Sequence, residues 1–150
     1  MRYLALLLLT GCMAAPSSEL RTPNDPAPAH VDWTLRVDTE GRKLGSYTLV
    51  IRFNPEVAHV VGIQGSLGDF EGKPVYDPGA FSSGCLRVAG VDPFPSSGPP
   101  PHGYPLFAVT FRRASRGMLH ARVEIEKLYD ENDKPLPGKV LNPPLDYFFP

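Results

Sequence analysis

The sequence predicts an all-β domain, a two-layer β-sandwich of about seven to nine short strands with no substantial helix. Three observations carry that prediction. Stretches of the chain alternate apolar and polar side chains, which is the period of a half-buried strand. Turn-rich links separate these stretches, and with 18 prolines and 14 glycines in 150 residues the chain is poor material for long helices. No run of Ala, Glu, Lys and Leu places apolar residues at helical spacing.

The elements follow in chain order. Residues 12–30 hold Pro16, Pro23, Pro26 and Pro28 among small polar residues and read as a semi-extended tether. The domain, residues 31–142, opens with Trp33, Leu35 and Val37 alternating with Thr34, Arg36 and Asp38, a strand with one buried face. Glu40-Gly41-Arg42-Lys43 is a turn. Tyr47, Leu49, Ile51 and Phe53 then alternate with Ser46, Thr48, Val50 and Arg52, the clearest strand in the chain, and Asn54-Pro55 ends it. Val57 to Ile63 is apolar and β-branched around His59 and Gly62, another strand.

Residues 65–84 read as loop, with a short strand around Val75 and Tyr76. Cys85 to Val91 is a short strand. Residues 92–105 carry six prolines and form an excursion in which no strand ladder survives. Leu106 to Arg112 is a strand with Phe107, Val109 and Phe111 on one side and Leu106, Ala108 and Thr110 on the other. After Gly117, Leu119, Ala121, Val123 and Ile125 alternate with His120, Arg122, Glu124 and Glu126. A polar turn, Asp130 to Pro135, a short strand near Lys139 to Leu141 and a tail over residues 143–150 complete the chain.

Length and charge narrow the functions. One domain of this size buries a moderate core. A formal net charge of -1 with scattered Lys and Arg gives no basic face for nucleic acid. The first eleven residues form an export signal: Arg2, then an apolar run from Leu4 to Leu9 that is too short to span a bilayer, then small residues. Leu9-Thr10-Gly11-Cys12 resembles the lipobox of bacterial lipoproteins. That resemblance implies cleavage before Cys12, a diacylglyceryl thioether on its sulfur and a fatty acyl chain such as palmitate on its amine; no cofactor is expected. Met13 and Ala14, with no Asp beside the cysteine, imply sorting to the outer membrane. With Cys12 lipidated, Cys85 has no partner within the chain and is expected to be a small, partly buried core residue.

The domain also resembles a family. Gly45 to Val57, with Asn54-Pro55-Glu56-Val57 closing the strand and Val60-Val61-Gly62-Ile63 following, is similar to the cohesin strand and turn. Leu86-Arg87-Val88-Ala89-Gly90, Leu106-Phe107-Ala108-Val109-Thr110-Phe111 and the closing Leu128 to Pro137 resemble later cohesin strands, in the right order. The resemblance implies the nine-stranded jelly-roll sandwich shared by cohesins and related carbohydrate-binding modules. It departs at the first strand, where the Pro-rich tether stands, and in the proline-rich 92–105 stretch.

Catalytic constellations are missing from the sequence. His30, His59, His102 and His120 lie at no metal-ligand spacing. Ser82-Ser83-Gly84 and Ser96-Ser97-Gly98 lack the glycine two residues before a nucleophilic serine. Glu124 and Glu126 share a strand face about 7 Å apart, without an implied pocket. Asp130, Asn132 and Asp133 offer oxygens to calcium, but an Asx-rich turn accounts for them better. Aromatic residues in or beside loops are the better binding candidates: Tyr76, Phe81, Phe94, Tyr104 and the terminal Tyr147-Phe148-Phe149. The expected function is therefore a lipid-anchored, non-catalytic module that binds a protein partner in an envelope, surface or secretion assembly. The alternative is a module that binds a polysaccharide, although its single tryptophan, Trp33, falls on a core-facing position.

Overall fold

The computed structural model describes residues 29–65, 67, 68, 70–93, 95, 100 and 102–150. Among them run nine strands: β1 (His30–Asp38), β2 (Ser46–Phe53), β3 (Ala58–Gly65), β4 (Val75–Tyr76), β5 (Cys85–Val91), β6 (Tyr104–Arg113), β7 (Gly117–Tyr129), β8 (Lys139–Val140) and β9 (Leu145–Phe149). A single 3-10 turn, Pro78–Ser82, lies between β4 and β5. The strands form a four-stranded sheet, β3-β6-β1-β8, packed on a five-stranded sheet, β4-β5-β2-β7-β9. Every pairing between strands is antiparallel. The all-β sandwich expected from the alternation is the fold observed.

The inward faces supply the core. Leu35 and Val37 of β1, Leu49 and Ile51 of β2, Leu86 and Val88 of β5, Val109 and Phe111 of β6 and Leu119 of β7 are fully enclosed. Phe53 meets Phe111 edge-on across the two sheets, with centroids 5.4 Å apart. Tyr47 lies against Phe107 and against Phe70, a residue of the loop after β3 that plugs one end of the sandwich. Gly90 lies opposite Tyr47 because a Cβ there would come within 2.6 Å of the Tyr47 ring. The β1–β2 connection turns at Glu40 and Gly41, both at positive φ (54° and 79°), with the Arg42 N–H donating to the Thr39 carbonyl at 3.1 Å. Positive φ at both central positions reverses the chain tightly as it crosses from β1 of one sheet to β2 of the other.

Three register shifts alter what strict alternation implies. On β6, Leu35 of β1 faces Phe107 and Arg36 faces Pro105, leaving Leu106 as the extra residue of a bulge. Leu106 and Phe107 are both buried as a result, so Leu106 does not share the outward side with Ala108 and Thr110. On β7, Leu49 faces Ile125 and Thr48 faces Lys127, with Glu126 extra. That insertion changes the phase of the strand and lets Leu128 point inward as Leu119 and Ala121 do. On β3, Val61 is the extra residue.

The C-terminal residues correct the expectation of a tail. Leu145 to Phe149 pair with Ala121 to Gly117 of β7, and Phe149 is wholly buried. Their Leu, Tyr and Phe side chains supply the apolar alternation of an edge strand. β6 likewise starts at Tyr104, so the proline-rich excursion is shorter than expected and Pro105 is accommodated beside the bulge.

Candidate functional site

The outer face of the five-stranded sheet is built by simple alternation. Leu49 and Ile51 point inward, so Thr48, Val50 and Arg52 point outward from β2. By the same rule Cys85, Arg87 and Ala89 face out from β5, and Arg122 and Glu124 from β7. Registration then lays these residues in rows. Arg87, Val50 and Glu124 form one row, and Cys85, Arg52 and Arg122 form the next. Val75, Ala89, Thr48 and Lys127 form the row on the other side.

Ion pairs lace this surface. Arg87 binds Glu126 through both Nε (2.8 Å) and Nη2 (3.2 Å). Arg52 reaches Glu124 at 3.4 Å and places Nη1 3.9 Å from the Cys85 sulfur. These pairs are solvent-exposed, so they contribute little to stability. Their effect is to fix the position of charge around Val50. Beside them, Val50, Arg52, Asp77, Ala80, Cys85 and Arg87 line an open depression of about 330 Å³. Its outer wall is the 3-10 turn, which begins at Pro78 and is capped by the Asp77 carboxylate accepting the Gly79 N–H at 2.8 Å. Tyr76 and Phe81 stack on one another behind that wall, centroids 5.5 Å apart, and both are half-buried.

Of the residues singled out from the sequence, Tyr76 and Phe81 are therefore brought together, as mutual packing partners at the border of the depression. Tyr104 is not a loop aromatic. It is 3% exposed within the core, where β6 begins earlier than the proline count implied, and its hydroxyl accepts the Leu44 N–H at 3.4 Å. Tyr147 is half-buried against Phe149, whereas Phe148 points outward. Phe94 and Cys12 lie outside the described residues, as do residues 12–28 of the tether. Cys85 corrects the expectation of a core cysteine: it is exposed, because the alternation of β5 buries Leu86 and Val88 instead. Trp33 is buried as expected.

The Asp130 turn is occupied by the protein's own donors. One carboxylate oxygen of Asp130 accepts the N–H groups of Asn132 (2.8 Å) and Lys134 (2.9 Å), and the other meets Arg42 at 3.0 Å. These backbone bonds, Lys134 foremost, with help from the Arg42 guanidinium, hold the carboxyl below its ordinary range. A guanidinium thus stands where the weak calcium candidate Asp130, Asn132 and Asp133 would place a cation, and Asp133 is held at φ 59° in the turn. Among the described residues no group of three His, Cys, Asp or Glu side chains is arranged to hold a metal.

Elsewhere, His120 pairs with Asp146 at 2.5 Å on the exposed surface of β7 and β9, with no described Ser or Cys bonded to the ring. Ser83 Oγ lies 2.8 Å from both the Ala80 and the Cys85 carbonyl and donates its one proton to either, which is a turn-closing role. Glu124 and Glu126 each hold a separate arginine rather than sharing a site. Val50, Arg52, Arg87, Asp77 and Ala80 were not selected by sequence reasoning. The outward phase of β2 and β5 marks three of them as surface residues, but their adjacency depends on pairing between strands distant in sequence.

No family model matches the sequence, and no curated protein matches it. Solved structures do match. The crystal structure of the CaDoc0917–CaCohA2 complex contains a chain 16% identical over 71% of this chain and 80% of its own length, with a TM-score of 0.57. The Coh-OlpA–Doc918 structure, described as a type I cohesin–dockerin complex from Clostridium thermocellum, matches at 9% identity over 72% and 81%, TM-score 0.55. The solution structure of CaCohA2 from Clostridium acetobutylicum matches at 15% identity over 71% and 74%, TM-score 0.54. The shared property is the fold: a cohesin-like jelly-roll sandwich.

Proposed function

We propose that this chain is an exported lipoprotein whose cohesin-like domain binds a protein partner through the outer face of the five-stranded sheet. In this reading residues 1–11 are the signal peptide, Cys12 carries the lipid, and the residues up to 30 are a spacer that presents the domain from the outer membrane. The single observation that carries the binding role is the surface around Val50. Exposed Val75 and Val91, with half-buried Ala89 beside them, border Val50 and four charged side chains fixed as two ion pairs. Apolar contact area ringed by oriented charge suits a protein surface, since the first supplies binding energy and the second register. Two of the structural neighbours are complexes, one of them described as a cohesin with a dockerin, which supports a protein as the ligand class.

The polysaccharide reading has less support. Sugar binding uses exposed aromatic platforms, but Trp33 and Tyr104 are core residues and Tyr76 and Phe81 cover one another. Catalysis has no residue arrangement behind it among the described residues.

The binding role is tested by capture from envelope extract with the wild-type domain and with a Val50→Arg, Arg87→Glu variant. A partner retained by the wild type and lost by the folded variant supports the reading. Equal capture by both, or hits on a glycan array instead, rejects it. The anchor is tested separately: Cys12→Ala protein that still resists a carbonate wash of membranes is incompatible with lipidation at Cys12.

A further inference from the structure

The end of the sandwich where the chain enters the domain is basic and partly apolar. Three arginines cluster at the entry end. Arg112, near the end of β6, lies in a cross-strand row between His30 of β1 and His59 of β3. Arg113 donates its backbone N–H to the Ala29 carbonyl at 2.9 Å and its guanidinium to the Pro150 carbonyl at 2.6 Å. Arg116, in the β6–β7 turn, lies 5.9 Å from the centroid of Phe148. All three are exposed.

The bond from Arg113 to Ala29 fixes where the N-terminal segment leaves the sandwich: among these arginines. Next to them Met118 and Phe148, paired across β7 and β9, are 42% and 47% exposed. Among the described residues Arg112 and Arg116 make no ion pair with a carboxylate, and Glu56 is the acidic side chain of the adjoining turn. At the far end Glu40, Asp130, Glu131 and Asp133 stand together with Arg42 and Lys43, which pair with Asp130 and Glu131.

We propose that the Arg112–Arg113–Arg116 end, with Met118 and Phe148, docks on the anionic phosphate headgroups of the membrane to which the chain is tethered. This rests on the lipid-anchor reading above. A tether that leaves the domain through this patch brings it to the bilayer first. Arginine guanidiniums suit phosphate oxygens by geometry as well as charge. An exposed aromatic and a thioether beside them supply side chains that partition into the headgroup region. Met118 and Phe148 point outward from the β7–β9 edge of the five-stranded sheet, so docking covers that corner and leaves the Val50 region on β2 and β5 open to a partner.

The test uses the mature chain with Cys12→Ala, which carries no lipid and is otherwise whole, in sedimentation with vesicles of phosphatidylglycerol or of phosphatidylcholine. The expected result is binding to the anionic vesicles alone, weakening as salt is raised. Arg112→Glu, Arg116→Glu should lower the partition coefficient by about tenfold or more, since each basic residue near a charged surface contributes about fivefold. Lys73→Glu, away from the patch, should leave it unchanged. No binding, equal binding to both lipids, or an equal loss with Lys73→Glu overturns the proposal. Labelling of Cys12 with palmitate in cells separates the two readings. Label without vesicle binding removes the patch and leaves the anchor; vesicle binding without label does the reverse.

Discussion

Arg87 of β5 reaches over β2 to hold the carboxylate of Glu126 on β7, with Nε and Nη2 at 2.8 and 3.2 Å. The two residues belong to strands that do not pair with each other. The contact exists because Glu126 is the extra residue of the β7 bulge. A bulge re-aims one side chain without displacing the strand, and here it sets a charge above the Val50 row.

Because the pair is well exposed, Glu126→Gln should change the unfolding free energy by about 1 kcal/mol or less. The same substitution should weaken capture of a protein partner. Urea unfolding with parallel binding measurements checks this, and a large stability loss with intact binding would show the pair to be purely structural.

The hydroxyl of Tyr47 is buried with no hydrogen-bond partner among the described residues. Tyr47→Phe should therefore be neutral or stabilising, by up to about 1 kcal/mol, because it removes an unsatisfied polar atom and keeps the ring. Burial also pushes the Tyr47 pKa above its ordinary value. The folded state then holds that proton while the unfolded chain releases it near pH 10. Stability from this residue is full below about pH 10 and falls above it by about 1.4 kcal/mol per pH unit. Denaturant midpoints from pH 8 to 11 should show a steeper decline for the wild type than for the Phe variant.

Asp130 carries the opposite sign. Its pKa is held below the ordinary aspartate value, chiefly by the Lys134 N–H. Its contribution is present above about pH 4, the unfolded value, and disappears as pH falls through the lower folded value. Asp130→Ala should melt below the wild type at pH 7, and the gap between the two should narrow on acidification. Thermal melts between pH 2 and 7 check this. Added calcium should leave the wild-type melt unmoved, since Arg42 occupies the cation's place.

Leu106→Ala should cost about 2–5 kcal/mol, comparable with deletion of its neighbour Phe107, because the bulge encloses both. A cost near zero in chemical denaturation would mean that Leu106 faces solvent, as uninterrupted alternation on β6 implies.

Cys85 should react with a thiol reagent in the native state at a rate close to that of the unfolded chain, since its sulfur is exposed. Protection until unfolding would return it to the core.

Much of this fold was legible in the chain. Tyr47-Leu49-Ile51-Phe53 and Leu119-Ala121 are buried faces that alternation alone picks out. Of the positions misread, Leu106 depends on a bulge, a one-residue change of phase, and Tyr104 on where its strand begins. Period-two reading is blind to an inserted residue, because both phases are equally good strands until a partner selects one. Cys85 was misjudged by residue type rather than by position; its own strand's phase places it outside. The site residues Val50, Arg52 and Arg87 were each recognisable as outward-facing, but nothing local joins residues 50 and 87.

The order of apolar and polar side chains by itself determined that this protein is a β-sandwich and which side of most strands is wet, since burial of one face is a local property of a pleated strand. Only the tertiary structure decided which wet residues are neighbours, where bulges redirect them, that the last five strand-forming residues join a sheet, and that Arg112 and Arg113 meet the entering chain at one end. Those outcomes follow from pairing between strands far apart in sequence, where the choice of partner and register rests on the whole core rather than on any one segment.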